Sequence, residues 1–449
     1  MLHKFIFDGV RIVLDVNSGA VHMVDDLAWD LLGDGHRPPA GDVLEKFSDR
    51  YPVGEVEEAL SEISRLEAEG LLFSPDPYRG GYTPPPAGVV KALCLHLAHA
   101  CNLRCRYCFA GQGRYCGDEA LMSTETGRAA IDFLIEASGG RHHLEIDFFG
   151  GEPLLNARVL MDLVAYGQRQ GSRAGKEIAF TVTTNGVLLT DELAAYLNEN
   201  QVSAVLSLDG RRTVHDANRR TPGGGGSYDV VLPKIKRFVT SRSGDNYYVR
   251  GTFTRFNLDF GEDVLHLADL GFEKLSVEPV VAFGGEPYAL LESDLPAIEA
   301  EYKKLAREIR QRGLQGRPLD FFHFRLDLDG GPCLHKRLSG CGAGSEYLAV
   351  TPDGSLYPCH QFADKAEYRL GTVFGGIEKE ELREPFRRAN IYEKEACPDC
   401  WAKFYCSGGC HANAVSANGT LSKPYGLSCA LIKIRLECAL YLKVLEQNP

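Results

Sequence analysis

"ALCLHLAHACNLRCRYC", residues 92–108, joins an apolar strand to three closely spaced thiols, Cys101, Cys105 and Cys108. The strand opens a long alternating pattern. Strands are predicted at 92–98, 144–149, 178–184, 203–208, 247–254 and 274–281, with helices between them at 123–137, 156–170, 191–199 and 228–240. Alternation of this kind builds a parallel sheet covered by helices. The expected fold class is therefore α/β, a partial barrel of six β/α units over residues 89–314, with a helix near 293–312 leading out. In a parallel barrel the loops at the C-terminal strand ends form the functional face. The three thiols occupy the first of those loops.

Upstream, residues 1–80 read as strands followed by helices. "KFIF" and "VRIVLDV" flank Asp8-Gly9, a two-residue hairpin turn, and "AVHMV" follows a second turn at 17–19. Helical stretches follow in "DDLAWDLL", "DVLEKFSDRY" and "EVEEALSEISRLEAEG"; the last keeps Val56, Leu60, Ile63 and Leu66 near helical spacing. "PDPYRGGYTPPPAG" (75–88) is a linker by composition. Downstream, 315–449 is loop-rich and cysteine-rich with little periodicity, the pattern of a segment that folds around metal. Three modules result: 1–80, 89–314 and 315–449.

The totals narrow the function. The 449 residues carry a net charge of −12, which gives no electrostatic footing for nucleic acid. Residues 1–80 hold 16 Asp and Glu against 7 Lys and Arg, so the N-terminal module is strongly acidic. No apolar run reaches the length of a membrane span and the N-terminus lacks a signal-peptide pattern, so a cytoplasmic protein is expected. Fourteen cysteines in such a chain point to metal or redox chemistry rather than disulfides. They cluster: none precedes Cys94, none lies between Cys116 and Cys333, and nine fall within 333–438.

Three thiolates on one tight loop can bind three irons of a [4Fe–4S] cube and leave the fourth open to a substrate or cofactor. The alternative is a zinc site completed by His96, His99 or a distant Cys, although C-x3-C-x2-C is not the paired C-x2-C spacing usual for zinc. With Tyr107 as the aromatic residue before the last Cys, this run resembles the signature of the radical S-adenosylmethionine (SAM) superfamily. The resemblance implies that SAM chelates the open iron through its amino and carboxylate groups. "GGEP" (Gly150, Gly151, Glu152, Pro153) would present carbonyls and a carboxylate to the methionine ammonium. "TTNG", with Thr184 and Asn185, would place polar side chains near the ribose, and "SLDG", with Ser207 and Asp209, ends the fourth strand. The segment "HDANRRTPGGGGSYD" (215–229) is similar to one found in peptide-modifying members, as a mobile lid or a plain surface loop.

The C-terminal cysteines resemble a SPASM domain, which holds two auxiliary [4Fe–4S] clusters. Carried over by position, Cys397, Cys400, Cys406 and Cys429 would bind the outer cluster; Cys341, Cys359 and Cys410 would bind the inner one, with Cys333 as candidate fourth ligand. If Cys333 does not bind, the inner cluster keeps an open iron. Two zinc ribbons are the alternative. Cys94 is expected as apolar filler on a buried strand, and Cys116 and Cys438 as spare thiols. His360, directly after Cys359, is the candidate acceptor of a substrate proton, or a structural histidine; Asp209 and Glu278 are further candidates for polar work.

Residues 1–80 resemble the winged-helix-like leader-recognition domain of enzymes that modify ribosomally made peptides; a generic regulatory winged helix is the alternative. The whole chain is similar to the maturases of six-cysteine (SCIFF) peptides. That resemblance implies three [4Fe–4S] clusters, SAM, a cysteine-rich precursor peptide with a leader, and an electron donor such as flavodoxin or ferredoxin. The implied reaction is a thioether crosslink from a Cys sulfur to the α-carbon of an acceptor, expected to be Thr. Two other readings stay open: an anaerobic sulfatase-maturing type of enzyme, and a metal-stabilised peptide-binding protein without chemistry.

Overall fold

The computed structural model describes residues 1–36, 43–84, 89–115, 117–242, 246–283, 285–328 and 333–447. The N-terminal unit begins with β1 (Leu2–Phe7), β2 (Val10–Asp15) and β3 (Val21–Val24), an antiparallel sheet in the order β1-β2-β3. Asp8 and Gly9 both have positive φ, 49° and 78°, which is the geometry a two-residue hairpin needs between Phe7 and Val10. Alternation along β2 then sorts its two faces. Val13 packs with Leu27, Leu31, Val43, Val56 and Ile63 from the three following helices, whereas Ile12 and Leu14 join the main core. The unit is docked rather than loose: His3 stacks on Trp401 at 3.7 Å and Phe7 on Tyr441 at 3.9 Å.

The central sheet is built from β4 (Ala92–Ala98), then, beyond a short β5 (Arg104–Cys105), from β6 (His143–Gly150), β7 (Glu177–Thr184) and β8 (Ser203–Ser207). After a short β9 (Arg219–Arg220) come β10 (Tyr247–Phe253) and β11 (Lys274–Pro279). β4, β6, β7, β8, β10 and β11 pair in parallel in that order, the six β/α units read from the sequence. Hydroxyl caps set helix starts on the sheet's flank: Ser123 accepts from Thr126 N and Thr190 from Leu193 N. Helix Leu295–Leu314 leads out, as expected.

The sheet does not stop there. β12 (Asp320–Phe321) adds to β11, and β13 (Tyr347–Val350) pairs in parallel with the free side of β4. β14 (Ser355–Tyr357), β15 (Gly371–Thr372) and β16 (Gly376–Ile377) continue antiparallel, giving eleven strands. The C-terminal region also ends in a 22-residue helix, Gly426–Gln447, that the sequence reading treated as part of a loop-rich segment. Its buried residues, Leu427, Leu431, Cys438, Tyr441 and Val444 among them, meet both helix Leu295–Leu314 and the N-terminal sheet, so no single apolar stripe marks it. Among the described residues no helix is long and apolar enough to cross a membrane.

Candidate active site

At the C-terminal ends of the parallel strands lies a cavity of about 360 Å³, within the usual range for a small-molecule site. One wall is the loop carrying Cys101, Cys105 and Cys108. Two glycines let β6 reach that loop. A Cβ on Gly150 would meet Ala98 O at 2.3 Å and one on Gly151 would meet Ala100 O at 2.2 Å. Without side chains, Gly151 N and Glu152 N donate to those same carbonyls at 2.8 and 2.9 Å. The far side of the loop is held by β5 pairing with β9.

Glu152 is buried and accepts from Thr184 Oγ1 (2.7 Å), Asn185 N (2.8 Å) and Leu154 N (3.0 Å). Burial outweighs those bonds and pushes its carboxyl up to about 7. Asn185 Nδ2 donates to Asn102 Oδ1 at 2.8 Å and lies 3.7 Å from Cys101 Sγ. Gly150, Gly151, Glu152, Thr184, Asn185 and Ser207 all line the cavity, with Tyr107. Pro153 does not; it opens the short helical turn Pro153–Asn156 beneath.

Asp209 corrects an expectation. Its carboxylate is fully buried and taken up by Tyr107 OH (2.8 and 2.7 Å), Arg219 Nε (2.9 Å) and Thr252 N (3.1 Å). It stands behind the wall and positions Tyr107 and Arg219 instead of facing a cofactor. The segment 215–229 is pinned at both ends, by Ser227 Oγ donating to Arg219 O (2.6 Å) and by Asp216 Oδ1 accepting from Ser227 N and Tyr228 N. These bonds close the two ends of the segment on each other, and Arg219 within it lines the cavity.

The same cavity is also lined by His360, Gln361, Arg250 and Glu278. His360 sits between Phe149 and Phe109, ring centroids 5.1 and 5.5 Å away, and burial with help from Arg250 brings it down to about 4. Its imidazole is thus neutral at neutral pH, with one ring nitrogen unprotonated. Burial pushes Glu278 up, but His323, Arg250 and Arg435 outweigh it and hold the carboxyl below its ordinary range. Ser276 Oγ donates to Glu278 at 2.7 Å, and His323 Nε2 lies 2.9 Å from it. Arg219 and Arg250 were not singled out in the sequence. A charged residue inside the strand "YYVRGTF", on the face opposite Val249, was the available signal for Arg250.

The C-terminal cysteines fall into two sets. The thiols of Cys397, Cys400, Cys406 and Cys429 act on one another electrostatically and line a cavity of about 290 Å³. Cys341, Cys359 and Cys410 form the second set. Cys333 heads the short helix Leu334–Ser339, exposed and beside Tyr82; left-handed Gly340 separates that helix from Cys341. Cys94 and Cys438 are buried in the core, and Cys116 lies outside the described residues.

Donor spacing distinguishes cluster from ion. Thiolates around one tetrahedral zinc lie roughly 3.8 Å apart, from the 2.3 Å Zn–S bond. Among the described residues, only exposed His142, His143 and Glu177 bring three ligand atoms within 4.8 Å of one another. The thiol sets are wider than a single ion needs. His96 and His99 do not complete a zinc site either; they are buried against each other (Nδ1 to Nε2 3.0 Å) and Tyr115. Burial pushes the Cys101 thiol up to about 11 and the Cys105 thiol up to about 12.

Comparison with known proteins agrees with this geometry. The radical SAM superfamily profile matches residues 95–255, and the SPASM iron–sulfur cluster-binding domain matches residues 341–401. The chain is a radical SAM enzyme with a SPASM domain. Its cofactors are [4Fe–4S] clusters and SAM. The cysteine-type anaerobic sulfatase-maturating enzyme of Clostridium perfringens is 25% identical over 73% of this radical SAM chain and 89% of its own. The serine-type enzyme of Klebsiella aerogenes is 26% identical over 73% and 81%. Among solved structures, native anSMEcpe with bound AdoMet superposes with a TM-score of 0.66 at 22% identity, covering 80% of this chain and all of that one. Streptococcus suis SuiB bound to S-adenosylmethionine gives 0.54 at 15%, covering 95% and 98%.

These relatives overturn one expectation. The thioether-forming reaction implied by the six-cysteine peptide resemblance is not upheld: the relatives that match nearly three quarters of this radical SAM/SPASM chain are sulfatase-maturating enzymes.

Proposed function

We propose that this radical SAM enzyme oxidises a Cys or Ser side chain in a polypeptide substrate to an aldehyde, as an anaerobic sulfatase-maturating type of enzyme. The observation that carries the reading is that the three-thiol loop, Arg250, Glu278 and His360 line one cavity of about 360 Å³. Similarity to cysteine-type and serine-type sulfatase-maturating enzymes supports it.

In this reading Cys101, Cys105 and Cys108 hold the first cluster. Gly150, Gly151, Glu152, Thr184, Asn185 and Ser207 line the SAM site, with Tyr107 fixed by Asp209. When bound, the cluster and SAM supply reductive SAM cleavage and, through it, hydrogen-atom abstraction from carbon. The chain's own groups do the rest. Arg250 and ionised Glu278 orient the peptide backbone or a flanking side chain, and the Phe109 and Phe149 rings flank the His360 imidazole. Neutral His360 offers a ring nitrogen to the proton released from the reacting thiol or hydroxyl. The seven C-terminal thiols would hold two auxiliary clusters, which would accept the remaining electron of the oxidation. For a Cys substrate, water supplies the aldehyde oxygen and the sulfur leaves as hydrogen sulfide, and an external one-electron donor reduces the enzyme.

The N-terminal unit is proposed to grip a substrate segment away from the reacting residue. β3 is a sheet edge with unpaired backbone groups, suited to an added peptide strand. Solved structures with bound peptide, anSMEcpe with the Cp18Cys peptide and SuiB with the precursor SuiA, support a peptide partner.

The test is anaerobic incubation of reconstituted enzyme, reductant and SAM with Cys-containing and Ser-containing peptides, followed by mass analysis and hydrazide trapping. Conversion to an aldehyde removes about 18 Da from a Cys peptide or about 2 Da from a Ser peptide. SAM cleavage without a trappable aldehyde on either peptide would overturn the reading.

A further inference from the structure

Lys394 is fully buried, and its Nζ donates to the Gly408 carbonyl at 2.7 Å. Its stem is packed against that glycine: a Cβ on Gly408 would meet Lys394 Cδ at 3.2 Å and Nζ at 3.3 Å. Gly408 is the middle of three successive left-handed residues, Ser407 (φ 57°), Gly408 (82°) and Gly409 (71°). This turn carries the chain from Cys406, in the outer thiol set, to Cys410, in the inner one. The connection between the two sets is therefore wrapped around one ammonium.

Burial lowers Lys394 from its ordinary value, and the thiols that oppose this come from both sets, Cys397 and Cys406 from the outer and Cys410 and Cys341 from the inner. None of these four is a carboxylate. A buried ammonium without an anionic partner is costly, and a single carbonyl compensates little of that. The thiolates of metal-bound cysteines are the anions within reach.

We propose that the Lys394 ammonium is a fixed positive charge shared by the two auxiliary clusters, placed to favour their reduced states. Each one-electron reduction adds one negative charge to a cluster without a proton, so a cation held between the ligand sets stabilises the reduced form of both. The low dielectric of the buried site keeps that interaction from being screened. The inference rests on assigning the two thiol sets to clusters, not on which side chain the enzyme oxidises.

The test is an EPR-monitored redox titration of the full reconstituted chain, comparing wild type with Lys394→Met and Lys394→Arg, with iron content measured alongside. Lys394→Met is expected to lower both auxiliary midpoints, with a tenfold fall in the reduced-to-oxidised ratio at fixed potential, about 59 mV for one electron. The first cluster should not move, and Lys394→Arg should hold the wild-type values. Unchanged auxiliary midpoints, or a shift in only one, overturn the shared charge. If Lys394→Met does not take up auxiliary iron, Lys394→Gln keeps the hydrogen bond to Gly408 and is titrated instead. Loss of auxiliary iron in both neutral variants makes Lys394 a structural post and overturns the proposal. A wild-type chain with iron at the first site alone would instead overturn the auxiliary-cluster assignment.

Discussion

Cys101, Cys105 and Cys108 come from eight consecutive residues, whereas the seven thiols of the C-terminal sets are drawn from a span reaching from Cys341 to Cys429. The two regions are held accordingly. The short loop is shaped by backbone: Ala98 and Ala100 carbonyls receive Gly151 and Glu152, and Arg106 N donates to Asn218 O. The long-range sets are held by buried ionic side chains acting across the sequence. Lys403 pairs with Asp76 of the linker at 2.7 Å, both nearly inaccessible, while Lys394 braces Gly408 and Arg383 reaches the Gly344 and Ser345 carbonyls. Ligands that are neighbours in sequence need only a strand end to fold on. Ligands far apart need ties that cost desolvation and fail when one partner is lost.

The largest expected break in that comparison is chemical. Cys105→Ala should abolish SAM cleavage, by more than about a thousandfold, because a chemical step with no cofactor has no residual path. Iron at the C-terminal sets should remain, and assays of 5′-deoxyadenosine and iron check both halves. Cys400→Ala should do the reverse, keeping SAM cleavage and losing iron at one C-terminal set.

Next in size is Asp76→Ala. It strands the buried Lys403 ammonium and should cost about 3–5 kcal/mol, read as a lower unfolding midpoint in denaturant. Burial raises Asp76, but Lys403 and Tyr392 outweigh it and hold the carboxyl low. Its contribution is therefore present above the ordinary carboxylate range and lost as pH falls through the lowered folded value. Asp76→Asn should remove that acid-side loss; an unchanged acid limb would show that the tie is not this pair.

Glu152, in the other region, has the opposite sign. Its carboxyl moves from 4.5 up to about 7 on folding, so in the chain without cofactors the folded state holds a proton the unfolded state has released. Stability should fall as pH rises between those values, by at most about 1.4 kcal/mol per pH unit, and Glu152→Gln should flatten the slope. Equal slopes in the two proteins would refute the assignment. The smallest effect is expected from Arg79→Ala, which breaks an exposed pair with Asp399 at 2.9 Å in the same linker-to-C-terminal contact. A change within about 0.5 kcal/mol would confine the linker's hold to the buried pair.

Much of the fold was legible because its signals are local. The six parallel strands lie within a residue or two of their expected bounds, from β4 at Ala92–Ala98 to β11 at Lys274–Pro279. Apolar runs between capped helices need no distant partner to declare themselves. The hairpin at Asp8-Gly9 was readable for the same reason. β13 and helix Gly426–Gln447 were not, since their apolar faces are defined by what they meet: β4 for the strand, helix Leu295–Leu314 for the helix.

The site divides along the same line. By itself the sequence determined the three-thiol loop, the strand-end motifs that line its cavity and the cofactors they hold, because each is a short run whose spacing is its geometry. Tertiary structure alone decided that Asp209 works behind the wall, that Arg219 and Arg250 face the cavity and that Cys333 stands apart beside Tyr82. It also set the Lys394 ammonium on the Gly408 carbonyl, in the turn that leads from Cys406 to Cys410. Those outcomes depend on which charges are desolvated together, and desolvation is a property of the packed chain rather than of any stretch within it.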